Sequence, residues 1–219
     1  QFIKCEFNNV SDFTNKFNKY KNDLAAVIIE PIQATSGFNF ADKNFLSHIK
    51  QKISKSNILL IFDEVWTGFG KTGHNFAYEY FKTSPDIVIL GKSIGGGLPL
   101  GLVALKNKIK NSFPGAQSST FQGNILSIHN SYFFLKELKK INYLKKIKKI
   151  EDFFLIHKTH LAQYKFVKDF RGIGSMWGIE IKNSHQYRDL TNKIRSKLIN
   201  EGLITWECGT HSNVIGLVP

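Results

Sequence analysis

The sequence is poor in cysteine and in acidic residues, and it has no long apolar run. Only 2 cysteines, Cys5 and Cys208, occur among 219 residues. Two are too few for a disulfide framework, so we expect a reducing compartment and a cytoplasmic protein. No apolar stretch approaches the roughly 20 residues that cross a bilayer, so we expect no membrane partner.

Acidic residues are outnumbered, 17 to 30, which gives a net charge of +13. Such an excess is typical of proteins that bind nucleic acid or acidic membranes. The lysines are spread along the chain, however, except in "LKELKKINYLKKIKKI" (135–150). Apolar residues recur there every three positions with lysines between them, which favours an amphipathic helix with a solvated basic face over a nucleic-acid surface.

Hydrophobic residues make up 42% of the sequence and aromatic residues 13%, which indicates a folded core. The 7 histidines show no pair at metal-ligand spacing on one helix face, so we assign no metal. The chain begins at Gln1 without Met and stops inside a strand pattern, "NVIGLVP". We therefore expect it to be a piece of a longer protein.

The first two thirds of the sequence alternate strand and helix patterns. Short apolar runs predict four strands, and residues 41–54 have helical spacing with Asp42 as a candidate N-cap. Helices between buried strands are typical of an α/β fold with a mostly parallel sheet. The predicted strands span 24–32, 58–63, 86–90 and 102–105.

One long helix is predicted over about 125–148, and the sequence pattern changes beyond it. The glycine-rich stretch 167–182 leads into a strand. A helix over 187–202 closed by Gly202 is followed by two strands, "LITWEC" and "NVIGLV". We therefore predict a large domain over 1–144 and a small α+β domain over 145–219.

A carboxylate and an amine follow neighbouring predicted strands. Asp63 ends one apolar run, and Lys92 lies just past the next, before three glycines. In open α/β sheets, ligands bind at the carboxyl ends of strands. The residues alone leave three interpretations of Lys92: a catalytic amine, an exposed loop lysine, or part of a phosphate-binding glycine loop, although the P-loop order of glycines and lysine is absent.

Three stretches together resemble the class III, pyridoxal 5'-phosphate (PLP)-dependent aminotransferases. They are "AAVIIEPIQATSGF", "LLIFDEVWTGFGKTGHNFAYEYFKTSPDIVILGKSIGGGLPLG" and "STFQGN". The similarity runs from about Leu24 to Pro219 and is densest from Leu59 to Gly101. It implies fold type I, with the later part of the large mixed-sheet domain and an incomplete small C-terminal domain.

The resemblance assigns roles to four residues. Asp63 matches the carboxylate that pairs with the pyridine nitrogen of the cofactor, and Val65 matches the apolar residue packed on its ring. Lys92 matches the Schiff-base lysine that also shuttles the proton. Thr120 matches the threonine that donates its hydroxyl to the cofactor phosphate across a dimer interface, which implies a homodimer. Glu64 is expected to be a structural neighbour.

Three positions depart from the family pattern and bear on substrate. Trp66 stands where glutamine is frequent, Thr35 where glutamate is frequent, and Gly216 where an arginine often binds a carboxylate. Losing both members of that glutamate–arginine pair strands no buried charge. The candidates for a replacement carboxylate-binding residue are Lys71, Arg171, His211 and a residue in the family's early segments, which this chain does not include.

The resemblance implies a PLP-dependent aminotransferase that moves an amino group between a small amine, ω-amino or diamino acid and an oxo acid through Lys92. The segment "FPGAQSSTFQGN" is similar to the diaminobutyrate-type enzymes. Aminomutases, epimerases and lyases of this fold remain alternatives, since they need no oxo-acid cycle. A non-catalytic basic binding protein is a further alternative.

Overall fold

A computed structural model describes residues 2–107, 109, 119–182, 185–187 and 189–219. The chain divides into two compact units that interleave along the sequence. The first unit comprises 1–31, 41–69 and 77–141, and the second comprises 32–40, 70–76 and 142–219. The domain boundary drawn after residue 144 from the sequence stays a prediction.

The elements alternate between helices and strands in the first half of the chain and group by type in the second. Among the described residues, no helix is long and apolar enough to cross a membrane. In chain order, the helices and strands are α1 (Val10–Tyr20), β1 (Ala26–Ile29), β2 (Ile32–Gln33), β3 (Asn39–Phe40), α2 (Lys43–Ile53), β4 (Leu59–Asp63), α3 (Ala77–Phe81), β5 (Ile87–Leu90), β6 (Leu102–Leu105), α4 (Ile125–Lys140), α5 (Tyr143–Ala162), β7 (Val167–Ile173), β8 (Met176–Ile181), α6 (Leu190–Asn200), β9 (Trp206–Cys208) and β10 (Val214–Leu217).

The first unit contains a four-stranded sheet in the order β1-β4-β5-β6. β1, β4 and β5 run parallel, and β6 is antiparallel to β5. The predicted mostly parallel sheet is therefore confirmed. Leu60 and Phe62 of β4 are fully buried, but Ile28 of β1 is 55% exposed. A continuous apolar run such as 24–32 is typical of a strand buried on both faces, and that expectation is wrong at Ile28.

Helix α2 buries the apolar face that its sequence spacing predicts, including Phe45, Leu46, Ile49 and Ile53. Asp42 is the N-cap residue by position, but its side chain accepts no capping hydrogen bond. Its backbone N–H instead donates to Asn8 Oδ1 at 2.8 Å. The prediction of Asp42 as the N-cap residue is confirmed, although its side chain makes no capping hydrogen bond.

The helix predicted over about 125–148 is two helices. α4 ends at Lys140, Ile141 is extended, and Asn142 caps α5 by accepting a hydrogen bond from Lys145 N–H. The apolar period runs through the break without a change, so periodicity alone predicts one helix. The single strand expected in 167–182 is likewise two strands, β7 and β8, which pair antiparallel around Gly174.

The second unit is built on an antiparallel sheet in the order β7-β8-β10-β9, with α5 and α6 and the β2–β3 hairpin. Trp177 and Ile215 of this sheet are each 1% exposed. Gly202 ends α6 with a φ of 83° and donates its N–H to Ile199 O at 2.9 Å, as the sequence predicts.

Candidate active site

Asp63 is the last residue of β4, at the carboxyl end of the parallel strands. Its Oδ1 accepts a hydrogen bond of 3.0 Å from Val65 N–H, which fixes the carboxylate against the following turn. Among the described residues, none donates a hydrogen bond to Asp63 Oδ2. One carboxylate oxygen therefore remains able to accept a hydrogen bond from a ligand.

Glu64 points into the protein and is 1% exposed. Its carboxylate accepts hydrogen bonds from Ala77 N–H, Tyr78 N–H and Thr67 Oγ1 at 2.6, 3.0 and 3.1 Å. Burial raises its pKa, and these three donors oppose that shift. The two adjacent acids therefore have different roles. Glu64 binds the first backbone N–H groups of α3, whereas Asp63 lies at the edge of the sheet.

Lys92 begins a short 3-10 turn, Lys92–Gly95, directly after β5. Its backbone has a φ of 48°, a left-handed conformation that strains a residue with a Cβ. The preceding Gly91 packs tightly, since a Cβ there would lie 3.1 Å from Val65 Cγ1. The chain is therefore brought close to the residues that follow Asp63, while the Lys92 side chain stays exposed.

The Lys92 amine lies over an aromatic ring. Its Nζ is 4.6 Å from the centroid of the Trp66 ring, within the range of a cation–π contact. Partial burial lowers the pKa of Lys92, and the charges of Asp63 and Glu30 oppose that shift. A lowered pKa gives more free amine at neutral pH, which is the form that attacks an aldehyde.

Glu30 is a charged residue of this edge that the sequence reasoning missed. It directly follows β1, whose last residue Ile29 pairs with Phe62 on β4, so Glu30 lies beside Asp63. Burial raises the pKa of Glu30, the Asp63 charge raises it further, and the Lys92 charge opposes both. An acid at the end of an apolar strand was the available signal, the same signal that identified Asp63.

Thr120 lies in the exposed turn before α4, in the first unit. Within the described ranges, no hydrogen bond joins it to Asp63 or Lys92. The role that the resemblance gives to Thr120, a phosphate ligand across a dimer interface, stays a prediction.

Thr35 and Gly216 lie in the second unit, where the β2–β3 hairpin packs on β10. Thr35 is exposed, and its carbonyl oxygen accepts a hydrogen bond of 2.9 Å from Gly209 N–H. Gly216 is buried; a Cβ there would lie 3.0 Å from Cys208 Sγ and 3.1 Å from Phe38 Cε2. An aromatic ring thus closes the space next to Gly216.

Arg171 is already occupied by partners within the second unit. Its guanidinium donates to Gly37 O at 2.8 Å, to Asp169 at 2.9 Å and to Glu180 at 2.6 Å. These contacts hold the hairpin to β7 and β8. Of the other two candidate carboxylate-binding residues, His211 is exposed and Lys71 is half-buried with a pKa lowered by burial.

Comparisons with known proteins identify the family. The family model described as aminotransferase class-III matches residues 3–219. The chain belongs to the class III aminotransferases. An acetylornithine aminotransferase of Clostridium acetobutylicum is 35% identical over 217 residues, which cover 98% of this chain and 53% of that protein. A 5-aminovalerate aminotransferase of Pseudomonas aeruginosa is 33% identical over 225 residues, covering 96% and 53%.

A solved structure shows the same fold. The ornithine aminotransferase of Plasmodium yoelii superposes with a TM-score of 0.87 at 31% identity, covering 100% of this chain and 57% of that one. The predicted fold class, part of a PLP-dependent transferase of fold type I, is confirmed. This aminotransferase chain spans about half the length of the relatives that it matches. The diaminobutyrate-type assignment stays a prediction.

The described residues of the aminotransferase chain fit the family's cofactor, PLP. The edge offers an exposed amine for an aldehyde, a carboxylate oxygen able to accept from a ring N–H, and the half-buried Val65 as apolar packing surface. No cluster of three or more metal-ligating side chains occurs among the residues that the structure describes.

Proposed function

We propose that this chain carries the lysine and the aspartate of a PLP site in a cytoplasmic, homodimeric aminotransferase. The reaction is the transfer of an amino group between a small ω-amino or diamino acid and an oxo acid. One observation carries the proposal: in a class III chain, the parallel strands β4 and β5 deliver the Asp63 carboxylate and the Lys92 amine to one sheet edge.

Each residue has a separate task. When bound, PLP supplies an electron sink for a carbanion at the amino-bearing carbon. Asp63 would accept a hydrogen bond from the protonated pyridine nitrogen and keep that nitrogen charged. Lys92 would hold the aldehyde carbon and, once displaced by the substrate amine, move the proton to and from the substrate carbon. Val65 would pack on the ring face.

Thr120 would complete the site of a second copy. Its exposed position supports a role as a phosphate ligand in the partner's site. A hydroxyl placed in this way makes each site depend on both copies, so dimerisation and cofactor binding would be linked.

Substrate selection is assigned to Thr35, Trp66 and Gly216. Relatives of this chain are named for acetylornithine, ornithine and 5-aminovalerate. We infer that this chain takes a donor of that kind, with an amino group at the end of a short carbon chain. Trp66 would border the donor at the cofactor edge.

A second candidate function has a specific observation in its favour. Position 216 holds a glycine beside Phe38, and the Arg171 guanidinium is engaged by its own unit. A guanidinium is the best carboxylate-binding group, and oxo-acid exchange uses one. An aminomutase, epimerase or lyase reaction on the same cofactor requires no second oxo acid, and these residues are compatible with it.

The test is absorption spectroscopy of the complete polypeptide with added PLP, beside Lys92→Ala. We expect a visible band in the parent that borohydride converts to a stable adduct on the Lys92 peptide, identified by mass. Lys92→Ala should lack both. Absence of both from the parent would contradict the proposal and leave a non-catalytic binding protein, whose nucleic-acid affinity would fall steeply with salt.

Substrate assays then separate the two candidate functions. Amino acids with a terminal amino group are offered with and without an oxo acid acceptor. Product that requires the acceptor supports transfer. Product that forms without an acceptor supports isomerisation or elimination.

A further inference from the structure

The contact between Trp66 and Lys92 joins a flexible, exposed amine to a fixed ring. The distance from Lys92 Nζ to the Trp66 ring centroid is 4.6 Å. Trp66 is half-buried and lies in the turn after β4, which is closed by the 3.0 Å hydrogen bond from Gly68 N–H to Glu64 O. The ring is therefore held by backbone that is itself anchored by a buried residue.

The backbone of Lys92 is held in place, whereas its side chain is flexible. Lys92 has a left-handed φ of 48°, and Ile94 N–H donates to Gly91 O at 3.3 Å. Beyond the backbone, the side chain has a flexible four-carbon stem and lies exposed. A long exposed lysine has a large rotamer entropy, so an oriented amine needs a partner close to Nζ.

The other charged groups that act on the amine are the carboxylates of Glu30 and Asp63, which follow β1 and end β4. Among the residues that the structure describes, Lys92 Nζ forms no salt bridge with either carboxylate. The carboxylates attract the ammonium from the strand ends, whereas the ring binds it at short range. Among the described residues, the Trp66 ring is thus a short-range partner of Lys92 Nζ.

We propose that Trp66 is a positioning residue for Lys92, holding the ammonium over its indole face beside the Glu30 and Asp63 edge and releasing the amine when it loses its proton. Only the charged form is attracted by the ring quadrupole, so the contact distinguishes the two protonation states. The inference concerns the amine that the proposed function uses, but it is tested without cofactor, so the two can fail separately.

The first test is trace acetylation of the cofactor-free complete polypeptide, followed over pH by mass spectrometry of the Lys92 peptide. Trp66→Leu removes the ring face but keeps an apolar side chain. We expect Lys92 to be labelled about two- to fivefold faster below its midpoint in Trp66→Leu, the factor that corresponds to an exposed cation–π contact. Above the midpoint the rates should converge, because the free amine is not held.

Two controls belong to this experiment. Trp66→Phe keeps an aromatic face and should fall between the parent and Trp66→Leu. The exposed Lys145 provides an internal reference whose labelling should not change. An unchanged pH profile at Lys92 in both variants would overturn the proposal, and so would an equal acceleration in Trp66→Phe and Trp66→Leu.

A second readout uses the ring itself. Trp66 fluorescence, taken as the difference between the parent and Trp66→Phe, should change as Lys92 loses its proton. Lys92→Met, which keeps a similar stem without the charge, should abolish that pH step. A step of the same size in Lys92→Met would show that another group causes it and would overturn the proposal.

Discussion

The Glu64 carboxylate holds the first residue of helix α3 through a hydrogen bond of 2.6 Å to Ala77 N–H. The same carboxylate accepts from Tyr78 N–H and Thr67 Oγ1. A buried acid that serves three donors is a structural element, and it stands one residue after the acid assigned to the cofactor.

Glu64→Gln should destabilise the protein. The amide replaces one acceptor oxygen by a donor that faces N–H groups, which leaves a buried group unpaired at a cost of about 1–3 kcal/mol. The measurement is urea unfolding of the complete polypeptide. Glu137→Gln is the control, because it removes an exposed ion pair with Lys140, with side chains 60% and 65% exposed, and should change stability by less than about 0.5 kcal/mol. Equal effects would contradict the assignment of Glu64.

Glu180 should make stability depend on acid pH. Burial alone would raise its pKa, but hydrogen bonds from Lys168 and Arg171, each 2.6 Å, outweigh it and place the pKa below the ordinary value. The folded state therefore binds this proton less tightly than the unfolded state does. The contribution is present above the unfolded pKa and is lost as pH falls through the folded one.

The measurement for Glu180 compares urea midpoints of the parent and Glu180→Gln between pH 7 and pH 3. The parent should be more stable at pH 7, and the difference should shrink as pH falls. A difference that stays constant over this range would mean that the ion pairs with Lys168 and Arg171 contribute nothing through the charge of Glu180.

Asp63→Asn should impair cofactor function without unfolding the sheet edge. The amide cannot hold a charged ring nitrogen, so we expect turnover to fall on the order of 10²-fold, as for other single electrostatic contacts at a reacting group. Asp23→Asn, an exposed acid after α1, is the matched control. The Asp63 charge raises the pKa of Lys92, so removing that charge should lower the pKa of Lys92 further. The rate of acetylation of Lys92, measured as a function of pH, would detect this change. If Asp63→Asn and Asp23→Asn had equal turnover, the result would contradict the role assigned to Asp63.

Gly216→Ala should be destabilising because its Cβ would press on Cys208 Sγ, Phe38 Cε2 and Trp206 O at 3.0–3.2 Å. Crowding of this kind typically costs about 1–3 kcal/mol. Gly101→Ala, where a Cβ would meet nothing within 4 Å, serves as the control and should be close to neutral. Thermal unfolding of both variants gives the comparison. If the two lose equal stability, the space beside Gly216 is not closed by Phe38.

The positions of Asp63 and Lys92 at the strand ends were more predictable from the sequence than the path of the chain around them. Asp63 and Lys92 each follow an apolar run, and strand ends converge at one edge whatever the connections are. Glu30 was not singled out because the apolar run that contains it, 24–32, continues through Pro31 to Ile32. The run therefore does not show where β1 ends. The structure ends the strand at Ile29.

Other features are invisible to local patterns. The break at Ile141–Asn142 lies inside an unbroken apolar period, and it depends on a side-chain cap at Asn142. The β2–β3 hairpin has strands of two residues each, too short to leave a periodic signal. Its membership of the second unit rests on contacts with residues more than 130 positions away, such as Arg171 with Gly37.

The interleaving of the two units has a consequence for biosynthesis. The segments 32–40 and 70–76 are synthesised before β7–β10, the sheet of the unit to which they belong. They must remain without their packing partners while much of the chain is still being made, and such non-local pairing is slow. A nascent chain halted after α4 would expose Phe38 and the hairpin around it, so that stage is where chaperone protection would matter most.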